Sequence, residues 1–150
     1  VCGNRGCLES LASGTAIGRM AMERTAGGDA GSSSLSTLGN EDITSEAVFQ
    51  AAAGGDSLAK EILEGVVQSL GVGLTNVLHL YNPDLVVLGG GVSGGLDQLG
   101  LLSKIRAIID SRAMSEKHKE YRLVVSRLGD SVGMIGAAAM AWEVLGSHAL

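Results

Sequence analysis

Apolar residues recur at helical spacing from the start of the chain. Leu8, Leu11, Ala12, Ala16, Ile17, Met20 and Ala21 share one face of a 3.6-residue period, which predicts an amphipathic helix from Leu8 to about Thr25. Ser13-Gly14 interrupts it, either as a kink or as the junction of two helices. The following AGGDAGSSSLSTLGNED is small, polar and rich in turn formers, and reads as a flexible connection, the best candidate for disorder. Thr44-Ser45-Glu46 then gives an N-cap signal for a short helix that Gly54-Gly55 ends. A longer helix starts at Asp56 or Ser57, and Leu58, Ile62, Leu63, Val66, Val67, Leu70, Leu74, Val77 and Leu78 form its inward stripe up to Asn82-Pro83. Gly65, Gly71 and Gly73 each cost this helix about 1 kcal/mol relative to Ala, and glycines on a buried helix face permit close packing against a neighbour.

The pattern changes at Pro83, which bars helix continuation. Leu85 to Leu88 is an uninterrupted apolar run too short for a helix, as expected of a strand covered on both faces. Gly89, Gly90 and Gly91 come next, then Val92-Ser93-Gly94-Gly95, before a helical pattern from Leu96 to Arg112 with Leu99, Leu102, Ile105, Ile108 and Ile109 inward. Arg112 to Glu120 is a charged surface connection, and Arg122 to Ser126 is a second strand. After Leu128-Gly129-Asp130-Ser131-Val132-Gly133 a final helix runs from Met134 to about Leu145. Its small face, Gly136 to Ala139, should pack closely, and Trp142 reads as an apolar anchor in preference to a sugar-stacking ring.

This order predicts an α/β fold with parallel strands, packed helices and a right-handed crossover. Both glycine-bearing loops follow the carboxyl ends of strands, the edge of an open α/β sheet where ligands bind. Two strands make too small a sheet to cover these helices, so further strands are expected upstream. The chain opens on Val1 with a dense motif at once, which also suggests a fragment of a longer protein.

The turn after the first strand is the chain's organising feature. Its glycines allow positive φ and let a ligand approach without meeting a Cβ, while a helix start offers unpaired N–H groups and partial positive charge. Such a turn suits a phosphate or a nucleotide. It lacks both the dinucleotide spacing GxGxxG and the P-loop GxxxxGK[ST], so a tight structural turn is the competing reading.

Composition narrows the classes. A length of 150 residues corresponds to about one domain. Aromatics make up 3%, so the core is expected from Ala, Val, Leu, Ile and Met. A net charge of −5 argues against a nucleic-acid surface within this chain. No apolar run reaches membrane-spanning length and no signal-peptide pattern opens the chain, so a cytoplasmic location is expected.

Cys2 and Cys7 would close only a very small disulfide loop, which favours metal ligation or free thiols. With Gly3 and Gly6 between them they resemble a zinc knuckle, but a structural zinc site needs four protein ligands. His79 in an apolar helical pattern, His118 in EKHKE and His148 in the terminal tail are poor candidates, so a complete site needs ligands upstream of Val1.

Taken together, these motifs resemble the ROK family, bacterial sugar kinases and sugar-responsive repressors built on the actin-like ATPase (ribonuclease H-like) fold. Cys2, Gly3, Gly6, Cys7 and Glu9 match the family's CxCGxxGCxE pattern, PDLVVLGGGVS its strand and loop, and LGDSVGMIGAAAMA its closing LGxxAGxxGAA segment. The resemblance covers nearly the whole chain and implies the C-terminal part of a ROK domain without the N-terminal ATPase lobe. It divides into a zinc-motif remnant over 1–9, a helical segment over 10–81 and a strand-loop-helix nucleotide-side unit over 82–145.

The resemblance implies roles residue by residue. Cys2 and Cys7 look like two of three zinc thiolates, the third Cys and a His lying upstream, so zinc binding by this chain alone is expected to be weak or absent. Glu9 is similar to the sugar-binding carboxylate. Gly89, Gly90, Gly91 and Val92 resemble the nucleotide-contacting loop, with Gly129 to Gly133 close to the same cleft. The family's catalytic Asp and phosphate loop are not in this sequence. The implied activity is phosphoryl transfer from ATP, with Mg²⁺, to a hexose, glucose being the expected one. The alternative is a sugar-sensing repressor with an upstream DNA-binding domain. The intact glycine loop favours the kinase, and a homodimer or homotetramer is implied.

Overall fold

The computed structural model describes residues 6–28 and 30–146, the side chain of Asp130 excepted. Four helices come first: α1 (Leu8–Ala12), α2 (Gly14–Ala26), α3 (Ser45–Ala53) and α4 (Ser57–Tyr81). A strand-helix-helix-strand-helix run follows: β1 (Leu85–Leu88), α5 (Gly91–Gln98), α6 (Leu102–Arg112), β2 (Arg122–Val125) and α7 (Val132–Gly146). Among the described residues no helix is long and apolar enough to cross a membrane.

Ser13-Gly14 is a junction. The Ser13 N–H closes α1 by donating to the Glu9 carbonyl at 3.2 Å, while its hydroxyl accepts from the Ala16 N–H at 3.1 Å and opens α2. One extended residue with a capping side chain thus ends one helix and starts the next.

The stretch between α2 and α3 is more ordered than its composition suggests. It forms two short 3₁₀ turns, Ser34–Thr37 and Asn40–Asp42, and Leu35 is buried in the core between α2, α3 and α4. Asp56, the N-cap of α4, holds it there. Its carboxylate accepts from the Ser33 hydroxyl at 2.9 Å, the Ser34 N–H at 2.7 Å and hydroxyl at 2.9 Å, and the Ala59 N–H at 3.1 Å. Partial burial alone would raise the Asp56 pKa, but these donors, led by the Ala59 N–H, outweigh it and hold the group at about 2. Small polar residues are therefore the donors that one carboxylate needs, and a polar composition does not distinguish that from disorder.

Helix α4 is the spine of the fold. One end of its stripe, Leu58, Ile62, Leu63 and Val66, packs with Ile17, Ala21, Leu35 and Val48; the other end, Val67, Leu74 and Leu78, packs with Leu96, Ile105, Ile109 and Tyr121. Each such side chain taken wholly out of water contributes roughly 1.5–3 kcal/mol before entropy is counted. Asn82 ends the helix in the left-handed conformation at φ 43°, and its N–H donates to Leu78 O at 2.9 Å.

The strands pair in parallel, Leu85 with Arg122 through to Leu88 with Val125. Val86, Leu88 and Leu123 are half-buried in the α4–α6 core, whereas Leu85 and Val87 are 43% and 54% exposed. The expectation of a strand covered on both faces is thus met on one face only among the described residues. An unbroken apolar run records what each side chain tolerates; it does not record which layer stands over it. Tyr121, just ahead of β2, ties the strand to α6, its hydroxyl donating to Asp110 Oδ1 at 3.3 Å under the Arg106 guanidinium. Burial and then the Asp110 charge push its pKa up to about 12.

Expectations for the later helices need correction. The single helix over Leu96 to Arg112 is two: α5 begins five residues earlier, at Gly91, and Gly100 at φ 68° separates it from α6. Periodicity alone joins Leu96, Leu99 and Leu102 into one stripe across that break. Helix α7 begins at Val132, and Trp142 is 82% exposed instead of anchored. Gly136 to Ala139 are likewise exposed, since among the described residues no layer packs over that face.

Candidate functional site

At the carboxyl end of β1, Gly90 adopts φ 90°, ψ 171°, a conformation closed to residues with a Cβ, and α5 starts at Gly91. The turn is pinned from inside. The buried Ser93 hydroxyl donates to the Gly90 carbonyl at 2.7 Å, and the Gly94 N–H reaches the same carbonyl at 3.3 Å. At the end of β2 the Ser126 N–H donates to Leu88 O at 2.7 Å, which sets the second glycine-bearing turn beside the first. Gly129 in that turn has φ 53°.

A cleft of about 380 Å³ opens in front of both turns. One wall is α5 backbone bared by Gly90, Gly91, Gly94 and Gly95; the end of β2 adds Val125, Ser126 and Gly129. The opposite wall is α3, with Ser45, Glu46, Phe49 and Gln50, and Gln98 also borders the space. The two helices meet closely, since a Cβ at Gly95 would lie 2.8 Å from the Phe49 ring. Glu46 Oε2 accepts from the Ser45 hydroxyl at 3.2 Å. Its carboxyl is held below the usual range by its own backbone N–H, then by the Thr44 and Ser45 hydroxyls, so it is ionised at neutral pH.

Of the residues expected to form a site, Gly90 and Gly91 line the cleft together with Gly129, and Gly89 sits in the same turn, beside Ser126. Val92 differs, because its side chain packs into both halves of the core and leaves only its backbone for a ligand. Glu9 lies exposed in the first turn of α1 and does not line the cleft. Cys7 is the half-buried N-cap residue of α1, its carbonyl accepting from the Ser10 hydroxyl at 2.7 Å; Cys2 lies outside the described residues. Among the described residues no group of three or more His, Cys, Asp or Glu is placed to hold a metal ion. His79 is satisfied, its Nε2 accepting from the Met114 N–H at 3.2 Å.

The sequence reading missed the α3 wall. TSEAVFQ carries a visible signal only for its cap, yet Val48 and Ala52 face the core while Glu46 and Gln50, one turn apart, share the opposite side. The chain's single Phe stands between them.

Comparison with known proteins bears on what this cleft belongs to. The family model for the ROK family matches residues 1–144. The chain belongs to the ROK family. A glucokinase of Thermotoga maritima is 34% identical over 97% of the chain and 45% of its own length. A DNA-binding transcriptional dual regulator of Escherichia coli, NagC, is 32% identical over 93% of the chain and 32% of its own length. Among solved structures, a ROK glucokinase from Streptomyces griseus in complex with glucose and AMPPNP superposes with a TM-score of 0.73 at 28% identity, covering 93% of this chain and 45% of that one. The ROK chain thus has the fold of part of these larger proteins, the actin-like ATPase fold, and spans less than half their length. Its relatives include both kinases and repressors.

Proposed function

We propose that the polypeptide carrying this chain is a cytoplasmic sugar kinase that transfers the γ-phosphoryl group of ATP to a hexose hydroxyl, glucose being the substrate. One observation carries this reading: the strained glycine turn Gly89–Gly91 opens onto a cleft at the carboxyl ends of both strands. A turn with no side chains, at a helix start rich in N–H groups, suits the phosphates of a nucleotide. The residues present therefore fit ATP, with Gly89, Gly90, Gly91 and the Val92 backbone along its phosphate side and Gly129 opposite.

In the transfer a bond forms between the sugar oxygen and the γ-phosphorus as the bond to the β–γ bridging oxygen breaks. The hydroxyl proton passes to a base that this chain does not supply. Mg²⁺ bound with ATP offsets phosphate charge, and no residue of this chain is assigned to it. Glu9 binds the sugar, its carboxylate accepting from adjacent hydroxyls. Cys2 and Cys7 contribute two thiolates to a structural zinc of the full-length protein, as the spacing of the CxCGxxGCxE pattern supports. The three-part division over 1–9, 10–81 and 82–145 and a homodimer or homotetramer belong to the same reading.

The second reading is a sugar-sensing repressor, supported by the similarity to the Escherichia coli regulator over 93% of the chain. ADP release by the full-length polypeptide with Mg-ATP and a panel of glucose, fructose, mannose and N-acetylated hexoses separates the two. Sugar-dependent ADP supports the kinase and identifies its substrate. Sugar binding without ADP overturns it in favour of the repressor.

A further inference from the structure

Resting on the nucleotide reading above, we infer that Glu46 selects ribonucleotides, its carboxylate taking the vicinal hydroxyls of the ribose while the base lies deeper along α3. The two walls of the cleft run in the same direction. A Cβ at Gly14 would lie 3.1 Å from Ser45 Oγ and 3.8 Å from Val92 Cγ2, so the start of α3 stands near the start of α5. One turn on, Phe49 meets Gly95. The walls therefore run side by side, and the cleft has an order: the strained turn at one end, Glu46 next to it, then Phe49 and Gln50.

That order is the order of a nucleotide. Phosphates belong at the glycine turn, where nothing but backbone faces them. An ionised carboxylate repels phosphate and attracts hydroxyl donors, so Glu46 is suited to the neutral diol that follows. Gln50 lies four residues on, about 6 Å along the helix axis, which is the step from a ribose to the edge of its base. Phe49, its ring packed on Gly95, gives that end an apolar floor, and the open space over Gly94 lies beside it. Glu46 is exposed and makes no core contact, so its substitution leaves the core packing intact.

The test measures binding of ATP, 2′-deoxy-ATP and 3′-deoxy-ATP to the full-length polypeptide by calorimetry, with Glu46→Gln alongside. The wild type should bind ATP about tenfold more tightly than either deoxy form, and Glu46→Gln should weaken ATP about tenfold more than it weakens either deoxy form and so bring the ratio near one. Glu46→Ala should behave likewise. An unaltered ratio in both variants, with ATP still bound, overturns the ribose assignment and leaves the nucleotide reading standing. If the wild type binds none of the three, the nucleotide reading falls and this inference with it.

Discussion

Ile108 on α6 fills the space that a side chain at position 71 of α4 would require. A Cβ on Gly71 would sit 2.5 Å from Ile108 Cγ2 and 2.8 Å from its Cβ, and α4 and α6 meet at this point. Ala is the better helix former by about 1 kcal/mol, yet forcing a methyl into a filled space costs about 1–3 kcal/mol, so the contact wins. Gly71→Ala should lower the denaturant midpoint, and Ile108→Ala in the same chain should recover part of the loss. Additive effects of the two substitutions would show that the helices do not approach here.

Asp56 sets an acid limit on stability. Its folded pKa of about 2 lies below the usual carboxylate value, so its contribution is complete above about pH 4 and is lost as pH falls through 2. Allowing for solvent screening, the group contributes roughly 1–2 kcal/mol. Unfolding curves from pH 6 to pH 2 should show that loss in the wild type and a flatter profile, from a lower start, in Asp56→Asn.

The two glycines at the end of β1 should respond differently. Gly90 is at φ 90°, so Gly90→Ala strains the turn by about 1–3 kcal/mol and should weaken ATP and deoxy-ATP equally while leaving sugar binding intact. The nearest atom to a Cβ at Gly89 is Ser126 Cβ at 4.0 Å, an ordinary contact, so Gly89→Ala should leave thermal stability nearly unchanged. Thermal unfolding and calorimetry of both variants check this contrast.

Phe49 and Gly95 should behave as a coupled pair. With Cβ of residue 95 placed 2.8 Å from the ring, Gly95→Ala displaces Phe49 from the cleft floor and should reduce nucleotide affinity several-fold. Phe49→Leu should relieve part of the strain in a double-mutant cycle read by stability. A cycle with no coupling would contradict the packing.

The elements bounded by specific chemistry were legible in the sequence. Ser13, Thr44 and Asp56 each cap a helix where the sequence places one, and the Leu85–Leu88 and Arg122–Val125 strands stand where the apolar runs lie. What escaped depends on partners distant in sequence. Composition makes Ser33 and Ser34 a linker until Asp56 collects their donors, and Gly100 splits a stripe that periodicity joins. Half of the cleft was visible as glycines, because a bare turn leaves a mark in sequence. The α3 half was not, since Glu46, Phe49 and Gln50 acquire meaning only when α5 lies against them.

The parallel pairing of β1 with β2 has a consequence for the order of folding. No ladder hydrogen bond between these strands can form until the whole α5–α6 crossover has closed, whereas the hydrogen bonds inside each of α1 to α4 join residues a single turn apart. The helical layer is therefore expected to nucleate and the sheet to zip late. Gly71→Ala, at the crossover's anchor on α4, should then slow refolding, while a strand substitution such as Val124→Ala should chiefly hasten unfolding. The turn at Gly90 takes its shape from both strand ends, so the ligand cleft is the last part of the chain to come into being.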